Sequence, residues 1–192
     1  MPTPSGPSPA TWPLVVAPGQ PQKPASSPGC STGSPPTGTP PTQPAGTIRY
    51  ATPSPAANPL PQGTCLEIGS GTGQFTCLLA SVFATVISVD LSEEMLRQAA
   101  GRSPARVRAD ASALPVADAS IAAVAAIDML LFPTETARVL APDGVLLWIN
   151  QLGQDGPLYL PAEDVAVALP GHWMATEAEA GWGTWACMRR TH

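Results

Sequence analysis

Lysine is almost missing from this chain: Lys23 is the single one, and lysine and arginine together number nine against 14 acids. Binding to nucleic-acid phosphates needs a basic face, so nucleic acid is not the expected partner. Histidine is nearly as scarce. The two present, His172 and the terminal His192, do not furnish a histidine-based catalytic array, and His172 follows Leu169-Pro170-Gly171 as a turn residue would. The four cysteines, Cys30, Cys65, Cys77 and Cys187, include no CxxC pair and no metal-ligand spacing, so reduced thiols and no metal are expected. No apolar run reaches the roughly 20 residues of a bilayer span, because Asp128 interrupts the best candidate. Near the start, Leu14-Val15-Val16-Ala17 is far shorter than a signal core and has no basic residue ahead of it. A cytoplasmic protein without a membrane association is the expectation.

What is present divides the chain into two materials. Of the 25 prolines, 18 fall at or before Pro61, whereas every acid lies after Gln62. Residues 1–61, rich in Pro, Ser, Thr and Gly, cannot bury enough apolar surface to offset ordering, and a disordered or polyproline-like extension is expected there. Residues 62–192 are of ordinary length for one domain. In that part seven arginines oppose 14 acids, leaving −7.

The most informative segment of the domain is Leu66-Glu67-Ile68-Gly69-Ser70-Gly71-Thr72-Gly73, a strand that ends on an acid and turns through three alternating glycines. Glycine accepts positive φ and has no Cβ, so a ligand can lie against the backbone of such a turn. A helix starting near Gly73 would add free N–H groups and the positive end of its dipole. Nucleotides supply the anionic and polar groups that such a site favours. A dinucleotide fingerprint would place a third glycine where Gln74 stands, which argues against an NAD-type oxidoreductase.

Downstream acids have matching positions. Asp90 closes Thr85-Val86-Ile87-Ser88-Val89 and precedes Leu91-Ser92; it suits the two hydroxyls of a ribose, or a helix start satisfied by backbone N–H groups. Asp110-Ala111 follows Ala105-Arg106-Val107-Arg108-Ala109 and precedes Leu114-Pro115, where a turn acid would also be ordinary. Arg138-Val139-Leu140-Ala141-Pro142-Asp143-Gly144 then leads into Val145-Leu146-Leu147-Trp148-Ile149, with Pro142 to stop a helix and Gly144 to supply a permissive turn.

Taken together, from about Thr64 to Asn150, these residues resemble the class I S-adenosylmethionine-dependent methyltransferases. The resemblance implies S-adenosyl-L-methionine (AdoMet) as cofactor. Its cradle would be Glu67, Gly69, Ser70, Gly71 and Gly73, with Asp90 and Leu91 at the ribose. Asp110 and the Ala111 N–H would meet the adenine. The family places the methionine moiety and substrate at the end of the fourth strand, which here brings Ile127 (through its backbone), Asp128 and Met129 near the transferred methyl. Asp128 is then either a base or a turn cap. Many relatives carry an aspartate where Ala122 stands, and its loss bears on loop order.

Apolar strands alternating with helical stretches argue for an α/β, Rossmann-like, doubly wound sheet, mostly parallel. Strands are expected near 64–68, 85–90, 105–109, 120–127 and 144–150, and a helix over 162–169. A C-terminal antiparallel hairpin is expected from 173–178 and 184–189 around Gly181-Trp182-Gly183. The resemblance implies seven strands, one of them antiparallel. Trp148, Trp173 and Trp185 read as core rather than as cofactor stackers. The expected activity is methyl transfer to a small molecule, with an AdoMet-binding module lacking its own activity as the alternative; the sequence leaves the oligomeric state open.

Overall fold

The computed structural model describes residues 60–180 and 183–191. The expected disordered extension through Pro59, Cys30, and Gly181-Trp182 of the hairpin turn lie outside the described residues.

One seven-stranded sheet organises the domain: β1 (Thr64–Ile68), β2 (Thr85–Asp90), β3 (Ala105–Arg108), β4 (Ile121–Ile127), β5 (Leu140–Asn150), β6 (Trp173–Ala180) and β7 (Gly183–Arg190). Their order is β3-β2-β1-β4-β5-β7-β6. Pairings from β3 across to β5 are parallel, and β7 runs antiparallel to both β5 and β6. The doubly wound sheet with its antiparallel hairpin is thus as expected. Among the described residues the α-helices are α1 (Thr76–Ala80), α2 (Glu93–Gln98), α3 (Pro133–Val139) and α4 (Ala162–Ala168).

The central strands are apolar on both faces because both faces are covered. One core joins Leu66, Ile68, Val124, Leu146, Trp148 and Met188 to Val139 of α3 and Val165 of α4. The other joins Cys65, Val86, Ala123, Val145 and Cys187 to Leu79 of α1 and to Phe83. Each large side chain so buried contributes about 1.5–3 kcal/mol. Trp148 is 2 % exposed and belongs to the core, as expected. Its indole N–H donates to the Leu160 carbonyl at 2.8 Å.

Three local features differ from expectation. Helix α1 begins at Thr76 rather than near Gly73, because Gly73 has φ +72° and a right-handed helix cannot run through it. Strand β5 begins at Leu140, with a register shift against β4 between Ile121 and Ala123, so Pro142 and Gly144 lie inside the strand rather than in a turn before it. Gly144 is needed there for close approach, since a Cβ would stand 3.0 Å from the Ala141 carbonyl oxygen and 3.1 Å from that of Ile121. Cys77, half-exposed on α1, is disulfide-bonded, which corrects the expectation of a reduced thiol. Cys65 and Cys187 are free and buried, and burial pushes the Cys65 thiol up to about 12.

Candidate functional site

The C-terminal ends of β1, β2, β3 and β4 bring the expected acids and glycines together. Ser70 N–H donates to the Val89 carbonyl at 3.0 Å, which lays the glycine turn against the end of β2. The Asp90 carboxylate secures it: Oδ2 accepts from Gly71 N–H at 2.8 Å and Oδ1 from Ser92 N–H at 2.8 Å. Asp90 therefore does what a helix-start acid does and also grips the turn. Ala109 N–H, bonded to the Asp90 carbonyl at 3.1 Å, ties the end of β3 alongside. Leu91, the next residue, is 64 % exposed.

The three glycines all have positive φ, at +65° for Gly69, +53° for Gly71 and +72° for Gly73, and each has a different neighbour. A Cβ on Gly69 would meet the Met129 Sδ at 2.5 Å. A Cβ on Gly73 would meet Ala99 Cβ and Thr76 Oγ1, both at 3.2 Å, so this glycine lets α1 pack on the end of α2. Around the Cβ position of Gly71 there is nothing within 4 Å. This open space against bare backbone is a cradle that a side chain would fill. Beside it, Ser70 Oγ is buried with no hydrogen-bond partner, and Arg102 donates to the Thr72 carbonyl at 3.0 Å.

Glu67 is 2 % exposed, and its Oε2 accepts from Thr76 Oγ1 at 2.5 Å and from Ser88 Oγ at 2.8 Å. Ser103 Oγ reaches Ser88 Oγ at 2.8 Å. Burial raises the Glu67 carboxyl above its ordinary range, and the two hydroxyl bonds only partly oppose this. The acid before the glycines thus joins β1, α1 and β2. Its partners escaped the sequence reading, although a serine inside Val-Ile-Ser-Val and a threonine on a short apolar helix are the sort of residue that pairs with a buried acid.

Asp110 is exposed, and its Oδ1 accepts both the backbone N–H of Ser112 at 2.8 Å and its hydroxyl at 2.7 Å. The backbone bond, then the hydroxyl bond, hold the carboxyl below its ordinary range. Ala111 is buried. The following loop is clamped from α3. Glu135 accepts from Leu114 N–H at 2.5 Å, while Arg138 reaches the carbonyls of Leu114 and Val116 and the carboxylates of Asp118 and Glu135. This clamp supplies order to the loop ahead of β4.

Asp128, at φ +47°, closes the end of β4. Its Oδ1 accepts from Gln151 N–H at 2.8 Å, its Oδ2 from Gln151 Nε2 at 2.5 Å, and its own N–H bonds the Ile149 carbonyl at 2.9 Å. Each carboxylate oxygen accepts one bond that joins β4 to β5, as the turn-capping alternative of the sequence reading has it, and each keeps a further lone-pair site. Ile127 just before it is half-buried. A separate cavity lined by Trp148, Asn150, Tyr159 and Glu177 shares no residue with the glycine turn. Among the described residues, no group of three His, Cys, Asp or Glu side chains is placed to hold a metal ion, and no helix is long and apolar enough to cross a membrane.

This sheet order, with a glycine turn after β1 and an acid closing β2, defines a class I, Rossmann-like methyltransferase domain. Residues 66–148 match the family model described as a methyltransferase domain. The family binds AdoMet, and the protein is an enzyme of the AdoMet-dependent methyltransferase class. Solved structures agree in fold. A SAM-dependent methyltransferase from Aquifex aeolicus is 19% identical, with a TM-score of 0.52 over 65% of this chain and 81% of its own. DhpI, solved as a complex with SAH, is 23% identical with a TM-score of 0.52 over 70% of this chain and 79% of its own. The PH0226 protein from Pyrococcus horikoshii OT3 is 17% identical with a TM-score of 0.56 over 68% and 84%. No curated protein matches the sequence.

Proposed function

We propose that residues 62–192 form a domain that transfers a methyl group from AdoMet to a small-molecule acceptor, with residues 1–61 as an extension outside it and the cytoplasm as its place of action. The observation that carries the site assignment is the grip of Asp90 on Gly71 next to open backbone. An ionised carboxylate has about four lone-pair sites, two of which are taken by Gly71 and Ser92, so two remain for ribose hydroxyls. Asp110 keeps Oδ2 for the adenine amino group while Oδ1 is held by Ser112, and Ala111 offers its N–H beside it. Leu91 gives the ribose side an apolar wall, and Ile127 meets the methionine end through its backbone.

When bound, AdoMet supplies an electrophilic methyl on sulfur. The chain's share of the work is then alignment and exclusion of water. Asp128 holds the ends of β4 and β5 in register through Gln151, which fixes the wall beside the methyl, and no proton need pass through it. The domain's net negative charge favours small acceptors over nucleic acid.

Calorimetry with AdoMet, S-adenosylhomocysteine and NAD tests the cofactor, and binding of NAD alone overturns the assignment. Turnover of labelled AdoMet against a metabolite pool then tests the acceptor, and its absence with every small molecule overturns that part of the reading.

A further inference from the structure

We propose that the Met129 thioether lines the sulfonium end of the cofactor cradle and is the side chain by which this protein distinguishes AdoMet from S-adenosylhomocysteine. The inference rests on the reading of the glycine turn and Asp90 as the cofactor seat.

Met129 does not stand where a strand running straight on from β4 would put it. Asp128 adopts φ +47° and is bound through backbone and side chain to Ile149 and Gln151, so the chain is turned as it leaves β4. The Met129 side chain then lies on Gly69. Its Sδ is 2.5 Å and its Cγ 3.3 Å from the place a Gly69 Cβ would occupy. The residue is half-buried and packs on the core that contains Leu66, Ile68 and Val89. Gly71, two residues along the same turn, faces open space. A ligand seated at Gly71 and extending along the turn toward β4 meets sulfur at Gly69, not backbone.

The chemistry of that sulfur is selective. A thioether is polarisable, carries lone pairs and donates no hydrogen bond. A sulfonium is cationic and spreads positive charge onto its methyl group, so it is drawn to the lone pairs. The neutral thioether of S-adenosylhomocysteine gains dispersion only. Asp128 and Asp90 keep their charge and their bonds to Gln151, Gly71 and Ser92 whatever stands at 129, so a change at Met129 alone isolates what the thioether adds at this end of the turn. A product held less tightly than the cofactor is also a product that leaves.

The test measures binding and not turnover. Met129→Leu keeps the volume and the apolar character and removes the lone pairs. In calorimetry it is expected to lower the ratio of AdoMet to S-adenosylhomocysteine affinity by about threefold or more, a size set by the energy of weak sulfur contacts. With carbon-13 at the methionine methyls, the resonance missing from Met129→Leu identifies Met129, and it should shift differently with the two ligands in the unaltered protein. An unchanged ratio overturns the proposal. A parallel gain in both affinities overturns it too, and makes Met129 an obstruction in the cradle. If the unaltered protein binds neither ligand, the reading of the glycine turn falls first and this inference with it.

Discussion

The Asp90 carboxylate closes β2 and accepts from the Gly71 N–H at 2.8 Å, so the residue proposed to bind ribose also holds the turn proposed to cradle the rest of the cofactor. These two roles share one side chain. Removing it in Asp90→Ala is expected to weaken AdoMet by about 1–3 kcal/mol, the cost of charge-assisted hydrogen bonds left unmade. The fold should survive, because the sheet core around Leu66 and Val89 does not depend on this carboxylate. Titration calorimetry on the folded variant decides it, and an unchanged affinity would remove Asp90 from the site.

Gly71 and Gly73 share a left-handed backbone but face different neighbours, so the same substitution should fail in two ways. Alanine at either position carries a strain of about 1–2 kcal/mol. At Gly71 the new Cβ meets no protein atom, so Gly71→Ala should stay folded and lose most of its AdoMet affinity. At Gly73 the Cβ crowds Ala99 and Thr76 at 3.2 Å, so Gly73→Ala should lose the more stability of the two and keep more of its affinity once folded. Urea denaturation beside calorimetry gives both quantities. The opposite pattern would mean that the cradle lies at Gly73.

Asp128 separates base from staple by a conservative change. Asparagine tolerates a left-handed φ and keeps an oxygen to accept from the Gln151 backbone, so Asp128→Asn should preserve the loop. If the residue only joins β4 to β5, turnover should fall by less than about tenfold; a general base would cost about 10²–10⁴. A loss in that larger range, in a variant that still binds AdoMet, would restore Asp128 as a base.

Periodicity and punctuation made the sheet legible. Short runs ending at Ile68, Asp90 and Ile127 are strands and are mostly apolar because they are covered on both faces, whereas β3 at the sheet edge alternates half-buried Ala105 and Val107 with exposed Arg106 and Arg108. The glycine turn was legible as a turn, yet its division of labour was not. Which glycine faces a ligand, a thioether or a helix depends on Met129 and Ala99, which are distant in sequence. The Glu67 cluster was hidden for the same reason: Thr76, Ser88 and Ser103 are single hydroxyls in apolar surroundings, and only the folded register of β1 and β2 brings them together. Likewise, nothing local marks Arg138 as the clamp on Leu114 and Val116, or Gln151 as the partner of Asp128.

Glu67 should leave a signature in the pH dependence of stability. Its carboxyl is raised in the fold, chiefly by burial, from an ordinary value of 4.5. Below that value folded and unfolded chains both carry the neutral acid, and its burial costs nothing in charge. As pH rises past 4.5 the unfolded chain releases its proton first, and the fold loses stability relative to it until the pH has passed the raised value, after which the loss is constant. Asp110 and Glu135 work in the other sense. Held low by Ser112 and by Arg138, they contribute stability above their ordinary range and lose it as pH falls. Both are common to parent and variant, so they cancel in a difference. The stability of Glu67→Gln minus that of the parent should therefore climb with pH from about 4.5 and then level off. Any fixed cost of seating an amide against Thr76 and Ser88 shifts that curve vertically without bending it. Denaturant midpoints measured from pH 4 to 8 are sufficient, and a flat difference would show that Glu67 titrates alike in the folded and unfolded chain.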